Sequence, residues 1–332
     1  MKKYHIAQDF SLIALNGQES GNMTNAKKIS LRCMAAATIL ELYLDGYFKK
    51  ESDSIEFERQ DNSDTLDYHD VVLAILLGKS GTVKETLPDF IAKTLKLSKR
   101  DLQDVEDAFV RYLNQLDALE EIPSLLSCDM EFETAGISVK EYQSHPELYM
   151  KLVKRLRSEI LQENQVTDAG IMMFWLLKES GALYDIFSED ELEGDVAQRF
   201  DELIENHALA NEILPVSIQK TKESLIKKFL DFKRETMSTS TGAGVNFVFP
   251  VLQRSQAVFI DTETYFAKKD DRLQELKSRL EKHNIAYTLI REGAVPLIEV
   301  YGVLYEAVPY TKQYRIPVHG IQLRRYVEDE VV

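Results

Sequence analysis

A mainly α N-terminal domain followed by a small α+β C-terminal domain is the fold class that this sequence predicts. Three observations predict it. Apolar residues recur at helical spacing through most of the first 215 positions. A Ser/Thr/Gly run at residues 238–244 then interrupts the pattern and reads as a linker. Beyond it come short segments rich in Val, Ile and Tyr, punctuated by Gly and Pro, around a single amphipathic helical stretch. The expected division is a helical domain over 1–215, a basic amphipathic helix with linker over 216–244, and an α+β domain over 245–332.

Residues 10–15 read as a helix turn or a strand, and 16–22 as a loop. From Ile29 to Phe48 the apolar set Leu31, Met34, Ala35, Thr38, Ile39 and Leu42 has helical spacing, closed by Asp45-Gly46. This spacing puts Arg32 in the first turn. Ile55-Glu-Phe-Glu58 alternates as a short strand. Residues 68–77 are helical up to Gly78, and 82–95 read as a helix interrupted at Pro88. Ser98 is an N-cap for a helix over 99–116 with the stripe Leu102, Val105, Phe109, Tyr112, Leu113 and Leu116.

Residues 120–130 hold the apolar bend Ile122-Pro-Ser-Leu-Leu126 between charged flanks, which fits a hairpin. His145-Pro146 opens a basic helix over 148–162, with Lys151, Lys154, Arg155 and Arg157. Residues 168–180 are strongly apolar, include Trp175, and should be a buried helix. Residues 189–205 form an acidic amphipathic helix and 217–235 a basic one. After the linker, 245–251 and 257–260 read as strands and 270–282 as a helix. Short strands follow at 285–290, 296–300, 304–308, 314–318 and 321–326.

A chain of 332 residues should hold about two domains at ~150 residues each. The net charge of −15 opposes binding to nucleic acid or non-specific adsorption to an anionic bilayer. Membrane contact would need a local basic patch or an apolar loop. Cys33 and Cys128 lie in apolar contexts and read as buried free thiols, which fits a reducing cytoplasm. The opening residues lack a long apolar run, so no signal peptide is expected. No stretch reaches the ~20 apolar residues of a membrane span. The expected localisation is cytoplasmic, with at most peripheral attachment to a membrane.

No catalytic motif, cofactor fingerprint or metal-ligand spacing is present. Asp67, His69 and Asp70 read as a helix N-terminus, where acids favour the dipole. Thr241-Gly-Ala-Gly244 lacks the Lys-Ser/Thr ending of a phosphate loop. The cations of residues 217–235 stand opposite Ile226, Phe229 and Leu230, as on an interfacial helix or one packed on a domain.

Four local patterns, in order, resemble the Golgi phosphoprotein 3 family over about residues 8–215. The first is Leu31-Arg-Cys-Met34 followed by Glu41-Leu-Tyr-Leu-Asp-Gly46. The second is the helix around Leu102 and Val105, leading to Leu125-Leu126 and Asp129-Met130. The third is His145-Pro146 leading to Lys154-Arg-Leu156, and the fourth is Ala182-Leu-Tyr-Asp-Ile-Phe187. The resemblance implies a helical fold with a protruding hairpin. It implies binding of phosphatidylinositol 4-phosphate, self-association, and no enzymatic activity. It places the head-group set at Arg32, Lys154, Arg155 and Arg157, and the self-association or membrane hairpin at Leu125 and Leu126.

The departures are specific. The family reads its lipid with a tryptophan and several arginines, whereas Trp175 lies within the apolar helix. Two of the family's arginines fall at Gln103 and Glu106, which removes charge-assisted bonds to phosphate. The leading expectation is a peripheral, head-group-binding, self-associating adaptor. The alternative is a soluble protein–protein scaffold that has lost the lipid site. A third reading, an enzyme acting through its C-terminal domain, would require a deep pocket of convergent ionisable groups.

Overall fold

Helix α2 (Asn25–Leu44) explains the helical unit, because nearly all of it is buried. Thr24 caps it through the Lys27 amide, and Asp45-Gly46 end it. A helix that is apolar on every side must lie inside other helices. In this computed structural model it packs against α1 (Ile6–Leu15), α3 (Asp67–Leu77), α5 (Lys99–Gln115) and α8 (Asp168–Ser180). The structure describes residues 5–51, 54–58, 66–78, 82–161, 166–187, 191–192, 194–218, 257–262, 269–313 and 315–326. The expected helix over 217–235, the linker and the strand over 245–251 fall almost wholly outside the described residues.

Residues 10–15 belong to helix α1 rather than a strand. Strands β1 (Lys49–Glu51) and β2 (Ser54–Glu58) pair antiparallel, and β3 (Thr82–Glu85) joins them. The helix expected over 82–95 is therefore corrected at its start. Val83 is buried between exposed Thr82 and Lys84, a two-residue period that pairs with β2. Helix α4 (Leu87–Ala92) begins only after Thr86, which caps it, with Pro88 in its first turn. Ser98 caps α5 as expected, through a reciprocal capping box with Asp101.

Next come β4 (Leu119–Pro123), a 3₁₀ turn (Leu125–Cys128), α6 (Met130–Thr134), β5 (Lys140–Ser144) and α7 (Pro146–Leu161). After α8, the described helices are α9 (Asp195–Asn206) and α10 (Ala208–Ile213). Trp175 is fully buried in α8, and its indole donates to the Val216 carbonyl at 2.9 Å.

The C-terminal part is α+β. Strands β6 (Val258–Asp261), β7 (Tyr287–Arg291), β8 (Leu297–Val300), β9 (Val303–Lys312) and β10 (Val318–Arg325) form one antiparallel sheet. Its order is β6-β10-β9-β8-β7, with helix α11 (Lys269–Lys282) between β6 and β7 in the chain. The strands expected at 304–308 and 314–318 are one long strand and the turn that follows it. Val318 pairs with Lys312, so the described residues between them, 313 and 315–317, lie at the hairpin tip.

The chain divides into two compact units whose limits differ from the expected 1–215 and 245–332. Residues 19–22 and 121–142 cluster with 253–332, and the remainder forms the helical unit. The physical reason is packing. Leu125 is 4 % exposed and lies in one core with Cys128, Val258, Ile260, Leu276 and Leu280, with Leu126 packed against it. The expectation of Leu125 and Leu126 as a protruding hairpin is thus corrected: they belong to a core.

Leu125→Ala should destabilise the α+β unit by about 2–5 kcal/mol, the range for emptying a buried leucine site. Leu126→Ala, at a partly buried position, should cost less. Urea unfolding followed by Tyr fluorescence checks both, and equal, negligible effects would return these residues to the surface.

Candidate functional site

Arg32 is the residue on which a head-group site depends. Since α2 starts at Asn25, Arg32 lies two turns inside the helix and not in its first turn. Its guanidinium is partly buried, and its Nε has no hydrogen-bond partner among the described residues. Desolvation pulls its pKa below the ordinary value, while Cys33 acts in the opposite sense. Arginine keeps its charge and its donors in such a place. The Nε–H is therefore a buried donor without a partner among the described residues.

The other three head-group candidates lie on α7. Lys154 is exposed. Arg155 is ion-paired with Asp9 at 2.6 Å. Arg157 donates to both oxygens of Glu191, at 2.6 and 3.1 Å, and to the Ile186 carbonyl at 2.6 Å. The same guanidinium stands over the Phe187 ring. Two of the four cations are therefore engaged within the helical unit. Gln103 donates to Asp107 at 3.1 Å, and Glu106 is fully buried against Lys27, with their charged atoms 2.5 Å apart.

The most developed polar constellation surrounds Glu41, in the last turn of α2. Its Oε2 accepts from the Ala7 amide at 2.9 Å, in the first turn of α1. Its Oε1 accepts from the Tyr68 hydroxyl at 2.8 Å and meets His69 Nε2 at 2.6 Å. All three side chains are buried. His69 Nδ1 accepts from the Leu66 amide at 3.2 Å, so the ring proton is assigned to Nε2, which donates to Glu41. Burial, and then the Glu41 charge, push the Tyr68 phenol far above its ordinary value. His69 thus has its expected capping role and a second one, as a strut to Glu41. With both nitrogens bonded, it has no lone pair to offer as a general base.

A second cluster lies in the α+β unit. Asp129 Oδ2 accepts from the Phe259 amide at 2.7 Å, covering the outer edge of β6. Glu133 on α6 forms ion pairs with Arg279 and Lys282 in the last turn of α11, and stands 3.6 Å from His283. Cys128 is buried here. Desolvation pushes its thiol up to about 11, against the opposing pull of Arg279. That leaves it a protonated, weakly nucleophilic side chain at neutral pH.

Sequence reasoning missed Lys27, and it named Glu41 and Glu106 only as positions in the family resemblance, without their buried partners. Their signal was a charge standing inside an apolar helical pattern. The Glu133–Arg279 pairing had none, since 146 positions separate the partners. Among the described residues, no group of three or more His, Cys, Asp or Glu side chains is placed to hold a metal ion. No described helix is long and apolar enough to cross a membrane. No protein-family model matches this chain, and no curated protein matches it either.

Two outcomes follow from these buried groups. Lys27→Met should destabilise the chain by about 3–5 kcal/mol, because it strands a buried carboxylate. Lys27→Met with Glu106→Leu should recover most of that loss in denaturant unfolding. Failure of the double variant to recover would mean that the pair is not the local determinant. For Cys128, the folded state keeps its proton between pH 9 and about 11 while the unfolded state releases it. Stability is therefore complete below pH 9 and is lost as pH rises to 11, by up to about 1.4 kcal/mol per unit. Cys128→Ala should show a shallower decline over that window than the parent chain, and identical slopes would contradict the assignment.

Proposed function

We propose that this chain is a non-enzymatic peripheral adaptor that binds an anionic phospholipid head group through its helical unit and self-associates, as the resemblance to the Golgi phosphoprotein 3 family implies. The observation that carries the reading is Arg32, a partly desolvated guanidinium whose Nε has no described partner. On α7, Leu148 and Met150 are exposed close to exposed Lys151 and Lys154. Apolar side chains among snorkelling lysines suit the interface of an anionic bilayer. The polar centre at Glu41 and His69 supports a structural role rather than a reaction, because every bonded atom there faces another part of the same core.

A soluble protein–protein scaffold is the second reading, and specific observations favour it. Arg155 and Arg157 are ion-paired, and the positions of two family arginines hold Gln103 and Glu106. Co-sedimentation with phosphatidylcholine vesicles, with and without phosphatidylinositol 4-phosphate, separates the two. The adaptor reading expects binding that requires the phosphoinositide and weakens about tenfold or more in Arg32→Ala, since a hydrogen bond to a charged group nets ~1.5–3 kcal/mol. A chain that ignores the phosphoinositide, or whose binding is unchanged in Arg32→Ala, overturns the Arg32 site.

A further inference from the structure

The β9–β10 hairpin departs from the acidic character of the chain. Acids make up about one residue in six overall, yet residues 307–326 contain neither Asp nor Glu. The same stretch carries Lys312, Arg315, Arg324 and Arg325. Its tip also holds the most exposed large hydrophobic side chain among the described residues, Ile316 at 77 %, next to exposed Arg315 and Pro317. Tyr310, on the strand leading to the tip, is 47 % exposed.

The tip stands on a rigid base. Tyr310 packs edge-to-face on Phe259 of β6, with centroids 6.1 Å apart. The Lys312 ammonium lies over the same ring and pairs with Glu131 at 3.0 Å. The Thr311 hydroxyl and His319 Nδ1 bond across the two strands at 2.9 Å. Gly320 makes room for the ring, because a Cβ there would lie 2.7 Å from Phe259 and 2.2 Å from the Ile260 carbonyl. An isoleucine held out at the end of such a hairpin projects its apolar surface instead of burying it.

We infer that the β9–β10 tip is a membrane-contact element, in which Ile316 and Tyr310 enter the interface of an anionic phospholipid bilayer and Arg315 meets its phosphates. The inference rests on the peripheral reading given above and adds a contact in the other unit, for which the family resemblance has no counterpart. Charge selects the partner. Lys312 and Arg324, nearer the base, are paired with Glu131 and Glu306, so the basic character lies at the tip, where Arg315 stands without an acid in the surrounding sequence of a chain whose net charge is −15. The side chains are those of a bilayer interface, with a tyrosine, an aliphatic residue and a flanking cation.

The test is co-sedimentation of the full chain with phosphatidylcholine vesicles containing phosphatidylserine but no phosphoinositide. The expected result is binding that needs the serine lipid. Arg315→Glu with Ile316→Asp should weaken it at least tenfold, since each cation near such a surface contributes about fivefold. Both positions are exposed, so this variant should melt like the parent, and Tyr310→Ser supplies a second variant without a charge change. If the parent binds and both hairpin variants bind equally, the hairpin inference is overturned and the peripheral reading survives. If binding occurs only through phosphatidylinositol 4-phosphate and Arg32, the hairpin alone is again excluded. If the parent binds no vesicle, both readings fall. A change of oligomeric state in the hairpin variants without vesicle binding would assign the tip to a second copy of the chain and reject the bilayer.

Discussion

Glu41 stands in the last turn of α2, where the dipole of its own helix opposes a negative charge. What stabilises it comes from elsewhere: the N-terminus of α1 through the Ala7 amide, and Tyr68 and His69 from α3. Lys27 mirrors this at the other end. It is a cation in the first turn, where the dipole again opposes it, and its partner is Glu106 of α5. Between these anchors α2 is largely apolar apart from Lys28 and Arg32 near its start, and apolar contact alone specifies register weakly. A buried carboxylate with three donors does not tolerate a one-turn slip, because a slip strands the charge in a medium that does not solvate it. The packing of α1, α3 and α5 on α2 is therefore tied to two charges that the hydrophobic pattern does not require.

The α+β unit solves a different problem. A five-stranded sheet has two edges, and β6 is one of them. Asp129 covers that edge at Phe259, and Glu133 holds the neighbouring helix α6 to the last turn of α11. Leu125 and Cys128 then complete the core. At the β8–β9 turn, Tyr301 takes a left-handed φ of 50° before Gly302, a conformation costly for a bulky residue. Its ring packs on the core beside Cys128, which supplies the compensating contact. The unit thus needs residues 121–142 as well as the C-terminal segment. Such pairing across more than a hundred positions carries a loop-closure cost and slows folding relative to a contiguous domain.

Period and capping made most elements legible. The buried helices α2 and α8, the capped helix α5 and the strand-rich C-terminal segment all follow from spacing and from residues such as Ser98 and Gly181. The failures have physical causes. Residues 82–85 read as helical because four residues are too few to separate a two-residue period from a helical one. Leu125 and Leu126 read as a protruding hairpin because apolar residues between charged flanks look the same whether they leave the core or enter it. Only the distant partners Val258, Leu276 and Leu280 decide the matter. Arg32 was legible as a cation in an apolar helix. Its depth was not, because the helix begins at Asn25, four residues before Ile29, where the apolar stretch starts.

The distribution of charge connects these observations. Several cations that a sequence reader would offer to a ligand are held by carboxylates of the same unit: Lys27 by Glu106, Arg155 by Asp9, Arg157 by Glu191 and Arg279 by Glu133. Exposed pairs such as Arg155–Asp9 contribute little to stability, commonly under about 1 kcal/mol. Their larger effect is to take cations out of circulation as binding groups. An acidic chain that does this presents an anionic partner with few places to bind. Arg32 has a buried Nε without a described partner, as Arg199 does, and residues 307–326 are notable for their lack of acids. Arg32 is a single buried donor within a helix. The hairpin stretch has an exposed tip with apolar and basic side chains together, suited to a surface.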